Sequence, residues 1–249
     1  MSLLDVERIK LTTTRSPWWC AAVAALISFG FALLFTLLFK NGNPGSDAPR
    51  YSLELIESGT AGFSMFVIMI MAALSITTEY RFGIVRTTFQ AVPRRWQVLT
   101  AKAGFLGLVA FVLGEIFAFG SLGIAKTLSS VPLPLSSADD WRQVAGIGLI
   151  YALAAILSVA VGALLRQSAG AIALLLLFPL VVENLIGIIP KVGDDIQKWM
   201  PFLNATNFVG QQQGSASKFL SPLGSLAYFA VVVAVVFGLA VFTVEKRDA

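Results

Sequence analysis

Thr77-Thr78-Glu79-Tyr80-Arg81-Phe82-Gly83-Ile84-Val85-Arg86-Thr87-Thr88-Phe89-Gln90-Ala91-Val92-Pro93-Arg94-Arg95-Trp96 separates two very apolar runs of the chain. It carries four arginines and a single acid, Glu79. A charge at mid-bilayer costs about 3 kcal/mol or more. The stretch therefore has to leave hydrocarbon and face water, and the runs beside it read as membrane spans.

Composition points the same way. Of 249 residues, 57% are hydrophobic and 13% charged. A soluble domain carries roughly 25% charged residues, so this chain cannot solvate a globular surface. It reads as one integral membrane domain over residues 1–249. The net charge of +4 follows membrane orientation rather than nucleic-acid binding, because the basic residues gather in one set of loops. One cysteine and no histidine exclude a disulfide framework and a Cys/His zinc site. Cys20 reads as a small packing residue. Asp5 and Glu7 stand where a signal peptide would be basic, so none is expected.

Working outward, the second span is expected at 57–77 and the third at 103–125. Small residues such as Gly59, Ala61 and Gly62 would let helices of the second span approach closely. Before it, Pro17 to Phe39 is long enough to cross, since about 20 residues suffice. Pro17 suits a first helical turn, and Trp18 and Trp19 suit the interfacial belt. Asn41 to Asp47 is a loop of helix breakers. The fourth span is expected at 143–165, followed by a tight turn at Arg166-Gln167-Ser168. The fifth, 169–189, is broken by Pro179, and the sixth covers 222–244. Residues 191–221 include an apolar piece too short to span. Residues 1–16 have only a weak amphipathic pattern.

Alternation of six spans puts eleven lysines and arginines on one side and seven on the other. The richer side holds both termini, the 77–96 stretch and Arg166, and is cytoplasmic by the positive-inside rule. The expected fold is therefore all-α, with six transmembrane helices and both termini inside.

No G-x-x-x-x-G-K-[ST], His-Glu-x-x-His or G-x-S-x-G sequence is present, so no nucleotide, metalloprotease or serine-hydrolase centre is expected. The chain reads as a non-enzyme without a cofactor or metal of its own. Two acids fall inside spans. Glu115, about 18 Å beyond Ala103 at 1.5 Å per residue, is expected near mid-membrane and facing the bundle, since an ionised carboxylate facing lipid is costly. Glu183, with Asn184, follows Pro179 and is placed to cap the free N–H groups of a helix start. No lysine or arginine falls within the spans so drawn.

The motif Glu79-Tyr80-Arg81-x-Gly83-x-x-Arg86-x-Thr88, followed by Pro93, Arg94, Arg95 and Lys102, resembles the loop after the second transmembrane helix of ABC-2 type permeases. These are the membrane subunits of bacterial ABC exporters, and Ile84 stands where that family usually has Thr. The likeness extends to the six-helix layout over nearly the whole chain. It implies a multi-pass protein of the cell membrane, surrounded by lipid. Residues 1–16 would be an interfacial elbow helix, and the loop between spans two and three a short coupling helix. Two outer re-entrant helices would lie between spans five and six. Two permease subunits, identical or paralogous, would line a path, with separate ATPase subunits holding ATP and Mg. Family substrates are drugs, lipids, glycans and peptides, and the short loops resemble the smaller drug- or peptide-export members.

Glu79, Tyr80, Arg81, Phe82, Gly83, Arg86, Thr88, Pro93 and Arg94 are then the ATPase-coupling residues. Tyr80 and Phe82 offer aromatic anchors. On one continuous helix Arg81 and Arg86 would lie about 140° apart. One can then meet the partner while the other holds the helix internally: Arg86, deeper in the loop, is expected at the partner, and Arg81, nearer the membrane, on its own chain or on Glu79. Three other readings stay open: a plain positive-inside loop, an ion-coupled carrier using Glu115 or Glu183, and a membrane scaffold without transport.

Overall fold

The computed structural model describes residues 3–39, 51–91, 94–129, 131, 133, 135–189, 192–211 and 220–247. The expected loop at Asn41 to Asp47 and the turn residue Pro93 lie outside these. The described chain is helical, with no strand. A first helix, α1 (Leu3–Thr13), precedes α2 (Arg15–Leu38). Next come α3 (Leu53–Gly59), a π-helical turn at Thr60–Ser64 and α4 (Met65–Arg81), which form one continuous rod. Short α5 (Ile84–Ala91) leads to α6 (Arg95–Leu128), and α7 (Ala138–Ala145) to α8 (Ile147–Leu165). The next rod is α9 (Ser168–Leu177), a π turn at Phe178–Val182 and α10 (Glu183–Ile186). Two short helices, α11 (Gly193–Gln197) and α12 (Pro201–Phe208), precede α13 (Pro222–Arg247).

Among the described residues, six helical rods are long and apolar enough to cross a membrane: Arg15–Leu38, Leu53–Arg81, Arg95–Leu128, Ala138–Leu165, Ser168–Ile186 and Pro222–Lys246. They fit a multi-pass membrane protein. Most differ from the sequence expectation at their ends, where helices run on through polar residues. The third expected span starts at 103, yet its helix begins at Arg95 and is 34 residues long, roughly 51 Å at 1.5 Å per residue. That exceeds the roughly 30 Å hydrocarbon core, so an upright α6 is too long to lie wholly within it. The fifth rod stops earlier than expected, at Ile186. Its π turn sits on Pro179, whose missing N–H breaks the regular ladder.

The core lies between α4, α6 and α8. Tyr151, Met65, Ile68, Met69 and Ile150 are fully buried there, with small residues at the crossings. Gly114 of α6 faces Gly148 and Tyr151 of α8. Since lipid is as apolar as the side chains, close backbone approach and polar contacts hold such helices together. Those polar contacts are present. Ser28, Thr60 and Ser121 from three different rods form a buried triangle at 2.5, 3.0 and 3.3 Å. Tyr151 donates to the Thr60 carbonyl at 2.7 Å.

The packing predicts a contrast between two glycines of α6. A Cβ on Gly114 would lie 2.9 Å from the Tyr151 ring and 3.1 Å from Gly148 Cα, whereas one on Gly104 meets nothing within 4 Å. Gly114→Val should destabilise the protein by about 1–3 kcal/mol. Gly104→Ala should leave it unchanged or stabilise it by up to about 1 kcal/mol. Thermal unfolding in detergent reads both.

Candidate functional site

The helix α4 runs into the 77–96 stretch as far as Arg81, and its last turns carry Glu79 to the inside of the bundle. Glu79 Oε1 accepts hydrogen bonds from Lys102 Nζ of α6 at 3.0 Å and from Lys10 Nζ of α1 at 2.8 Å. Glu7 of α1 completes the set: its Oε2 lies 2.5 Å from Lys102 Nζ and its Oε1 3.3 Å from Lys10 Nζ. Each lysine thus touches both carboxylates. Lys102 is 1% exposed, and Glu7 and Glu79 are also buried. Two positive and two negative charges cancel, which is the condition for burying them. Burial by itself would lower the Lys10 pKa. The hydrogen bond and charge of Glu79, with those of Glu7, outweigh that and raise it above 10.5.

This cluster bears on three expectations. Glu79, expected among the coupling residues, sits in an internal ion network with Lys10 and Lys102. Lys102 is a buried helical residue rather than a loop cation. Arg81 is exposed, with its guanidinium 5.7 Å above the Phe82 ring, rather than held on Glu79.

The Arg81–Arg86 geometry also changes. The helix breaks at Phe82–Gly83, and Gly83 has φ +72°, a left-handed conformation in which glycine is at ease. The 140° separation therefore does not apply. Beyond the break, α5 buries Val85 and half-buries Thr88, leaving Ile84, Thr87 and Gln90 exposed. Phe82 is 69% exposed, and Arg94 is exposed as well. The Arg86 side chain lies outside what the structure describes. Tyr80 is half-buried under the Arg166 guanidinium, which sits 5.1 Å from its ring centroid. Arg166 itself takes φ 56° in the turn between α8 and α9. Val244 of α13 lines a small cavity with Tyr80, Val85 and Val98. The basic segments expected on one side therefore meet at one end of the bundle.

At the opposite end, Glu183 is fully buried. Its two oxygens accept from the backbone N–H groups of Phe202 and Leu203, both at 2.9 Å. These are among the free donors at the start of α12. Arg142 of α7 donates to the Phe208 carbonyl at the other end of that helix. An acid at the N-terminus and a cation at the C-terminus both suit the helix dipole. Asn204 and Asn207 share Ser225 of α13 at 2.9 and 2.8 Å, so α12 is fastened along its length. Asn184 is exposed and donates to the Pro179 and Leu180 carbonyls at 3.1 Å each.

Glu115 is half-buried, and its carboxylate rests against Gly148 in the space a Cβ would fill. Its Oε1 has no hydrogen-bond partner among the described residues. A further acid, Glu57, is 1% exposed with both oxygens unpartnered among the described residues. Glu57 is expected at the outer edge of the second span. The helix starts four residues earlier, at Leu53, and carries it inside.

No family model, curated protein or solved structure matches the chain.

The cluster predicts a defined response to mutation and pH. Lys102→Met leaves Glu7 and Glu79 sharing Lys10 and should destabilise by about 3–5 kcal/mol. Because the folded pKa of Lys10 is raised, its contribution is complete below the unfolded value, about 10.4. It is lost as pH rises through the folded value. The melting temperature should therefore drop more steeply above about pH 10 in wild type than in Lys10→Gln.

Proposed function

We propose that this chain is the permease subunit of an ATP-driven exporter of the ABC-2 type. One observation carries the reading: a short helix, α5, hangs between the second and third spanning rods. It is set off by the left-handed Gly83, and both rods are tied at its base by the Glu79–Lys102 pair. A force on α5 would pass into α4 and α6 together, as coupling to an external motor requires. Two ATPase subunits, binding ATP and Mg, would dock on this end. Phe82, Arg86 and Arg94 would face them. The basic end is then cytoplasmic by the positive-inside rule, with both termini inside and the cell membrane as location. In this reading α11 and α12 are the outer re-entrant pair.

Two such subunits would line the path between them. A cavity of about 290 Å³ near the opposite end, walled by Phe63, Phe66, Pro179, Glu183 and Phe202, lies between the two π turns and suits an outer section of that path. Its aromatic walls favour drug-like, peptide or lipid-like cargo. An ion-coupled carrier is the second reading. Glu115, a half-buried acid against Gly148 at the contact of α6 and α8, supports it; Glu183, engaged as a helix cap, does not.

The test is co-purification with the ATPase that accompanies the permease. Arg86→Ala should weaken binding by about 2–5 kcal/mol if the arginine meets a partner carboxylate. Gly83→Val, forced into a conformation foreign to β-branched residues, should uncouple ATP hydrolysis from substrate while insertion survives. Unchanged binding and coupling in both variants would reduce the loop to a positive-inside anchor.

A further inference from the structure

A cavity of about 360 Å³ opens between α1, α4 and α6, within the size range of small-ligand pockets. Its walls are apolar: Leu11, Pro17, Met71, Leu74, Phe105 and Leu106. Glu7, Lys10, Glu79 and Lys102 line one part of it, but their charges are already matched within the cluster. The buried part of any occupant therefore meets no free charge and has to be apolar. Lys102, Phe105 and Leu106 of α6 line the cavity, roughly 10 to 17 Å along the helix from its start, so it runs from the charged cluster into the apolar part of the rod.

Exposed charge near the cavity is mainly positive, with Asp5 of α1 the acid beside it. Arg15 and Arg81 are exposed at the start of α2 and at the end of α4, next in sequence to cavity residues Ser16 and Phe82, and Arg8 is exposed on α1, about one turn before cavity residue Leu11. A basic cluster at a membrane surface attracts anionic headgroups. We propose that this cavity seats an acyl chain of an anionic phospholipid, whose headgroup lies among these arginines. The lipid would fill the wedge between α1 and the bundle and so hold the first helix in place. The inference needs only a membrane setting and is independent of the exporter reading.

The experiment uses the full chain, delipidated in a neutral detergent and then offered phosphatidylglycerol or phosphatidylcholine with matched chains. Native mass spectrometry counts the retained lipid, and thermal unfolding reports its effect. Wild type should retain phosphatidylglycerol about tenfold better than phosphatidylcholine and melt higher with it. Ser75→Phe, which fills the cavity, should abolish retention of both. The double variant Arg15→Gln with Arg81→Gln should keep binding but lose the preference. Equal retention of the two lipids by wild type would overturn the proposal, as would undiminished retention by Ser75→Phe. Should that variant not fold, a phosphatidylglycerol carrying a photoreactive acyl chain decides on wild type. Crosslinks at Met71 to Thr78 or Phe105 support the site, and crosslinks confined to other helices overturn it.

Discussion

A buried lysine is tolerated only where opposite charge surrounds it, and Lys102 imposes that constraint on one whole end of this molecule. An unpaired ion inside a protein costs several kcal/mol. Lys102 avoids that by drawing in Glu79 from α4 and Glu7 from α1. Two carboxylates around one lysine would leave a net negative charge, and Lys10 removes it. Three helices distant in sequence are thereby brought to one point. The first helix, whose apolar pattern alone gives no strong reason to pack, is held by charge. Helix α5 lies in the chain between α4 and α6, two helices that this network joins. In the proposed exporter the same network is what would make the coupling helix a handle on the spans rather than a loose loop.

The opposite end follows the same logic with different chemistry. Helix α12 is eight residues long, too short to be stable alone. It persists because Glu183 occupies its N-terminal donors, Arg142 meets its C-terminal carbonyl, and two asparagines grip Ser225. Between the two ends, hydroxyl groups and glycines do the joining. This is the expected division in hydrocarbon, where burial of apolar surface gives no net drive for one helix to bind another.

The sequence makes the six apolar runs plain, because hydrocarbon admits few charges and the runs stand out by composition alone. It also makes Glu183 legible: a proline break, an acid and a following helix start place a carboxylate near unfilled donors. Helix ends are less visible. Polar residues mark where a span leaves hydrocarbon, yet the helix itself continues, so Arg95 to Lys102 read as loop and Leu53 to Ile56 fell outside their helix. That one error hid both Lys102 as a buried cation and Glu57 as a buried acid. The cluster was harder still to read, since Glu7, Glu79 and Lys102 are brought together only by tertiary packing. The Ser28–Thr60–Ser121 triangle is invisible for the same reason: single hydroxyls in apolar runs carry no pattern. In the 77–96 stretch the helix-breaking role of Gly83 was readable, but the assumption of one continuous helix through it misplaced Arg81.

A double-mutant cycle on Glu79 and Lys102, read by unfolding free energy in detergent, tests the central claim most directly. If one network holds α1, α4 and α6 together, Glu79→Gln and Lys102→Met made together should cost far less than the sum of the two alone. The interaction term should exceed about 1 kcal/mol, within the range measured for residues in one salt-bridge network. Strict additivity of the two substitutions would contradict the account.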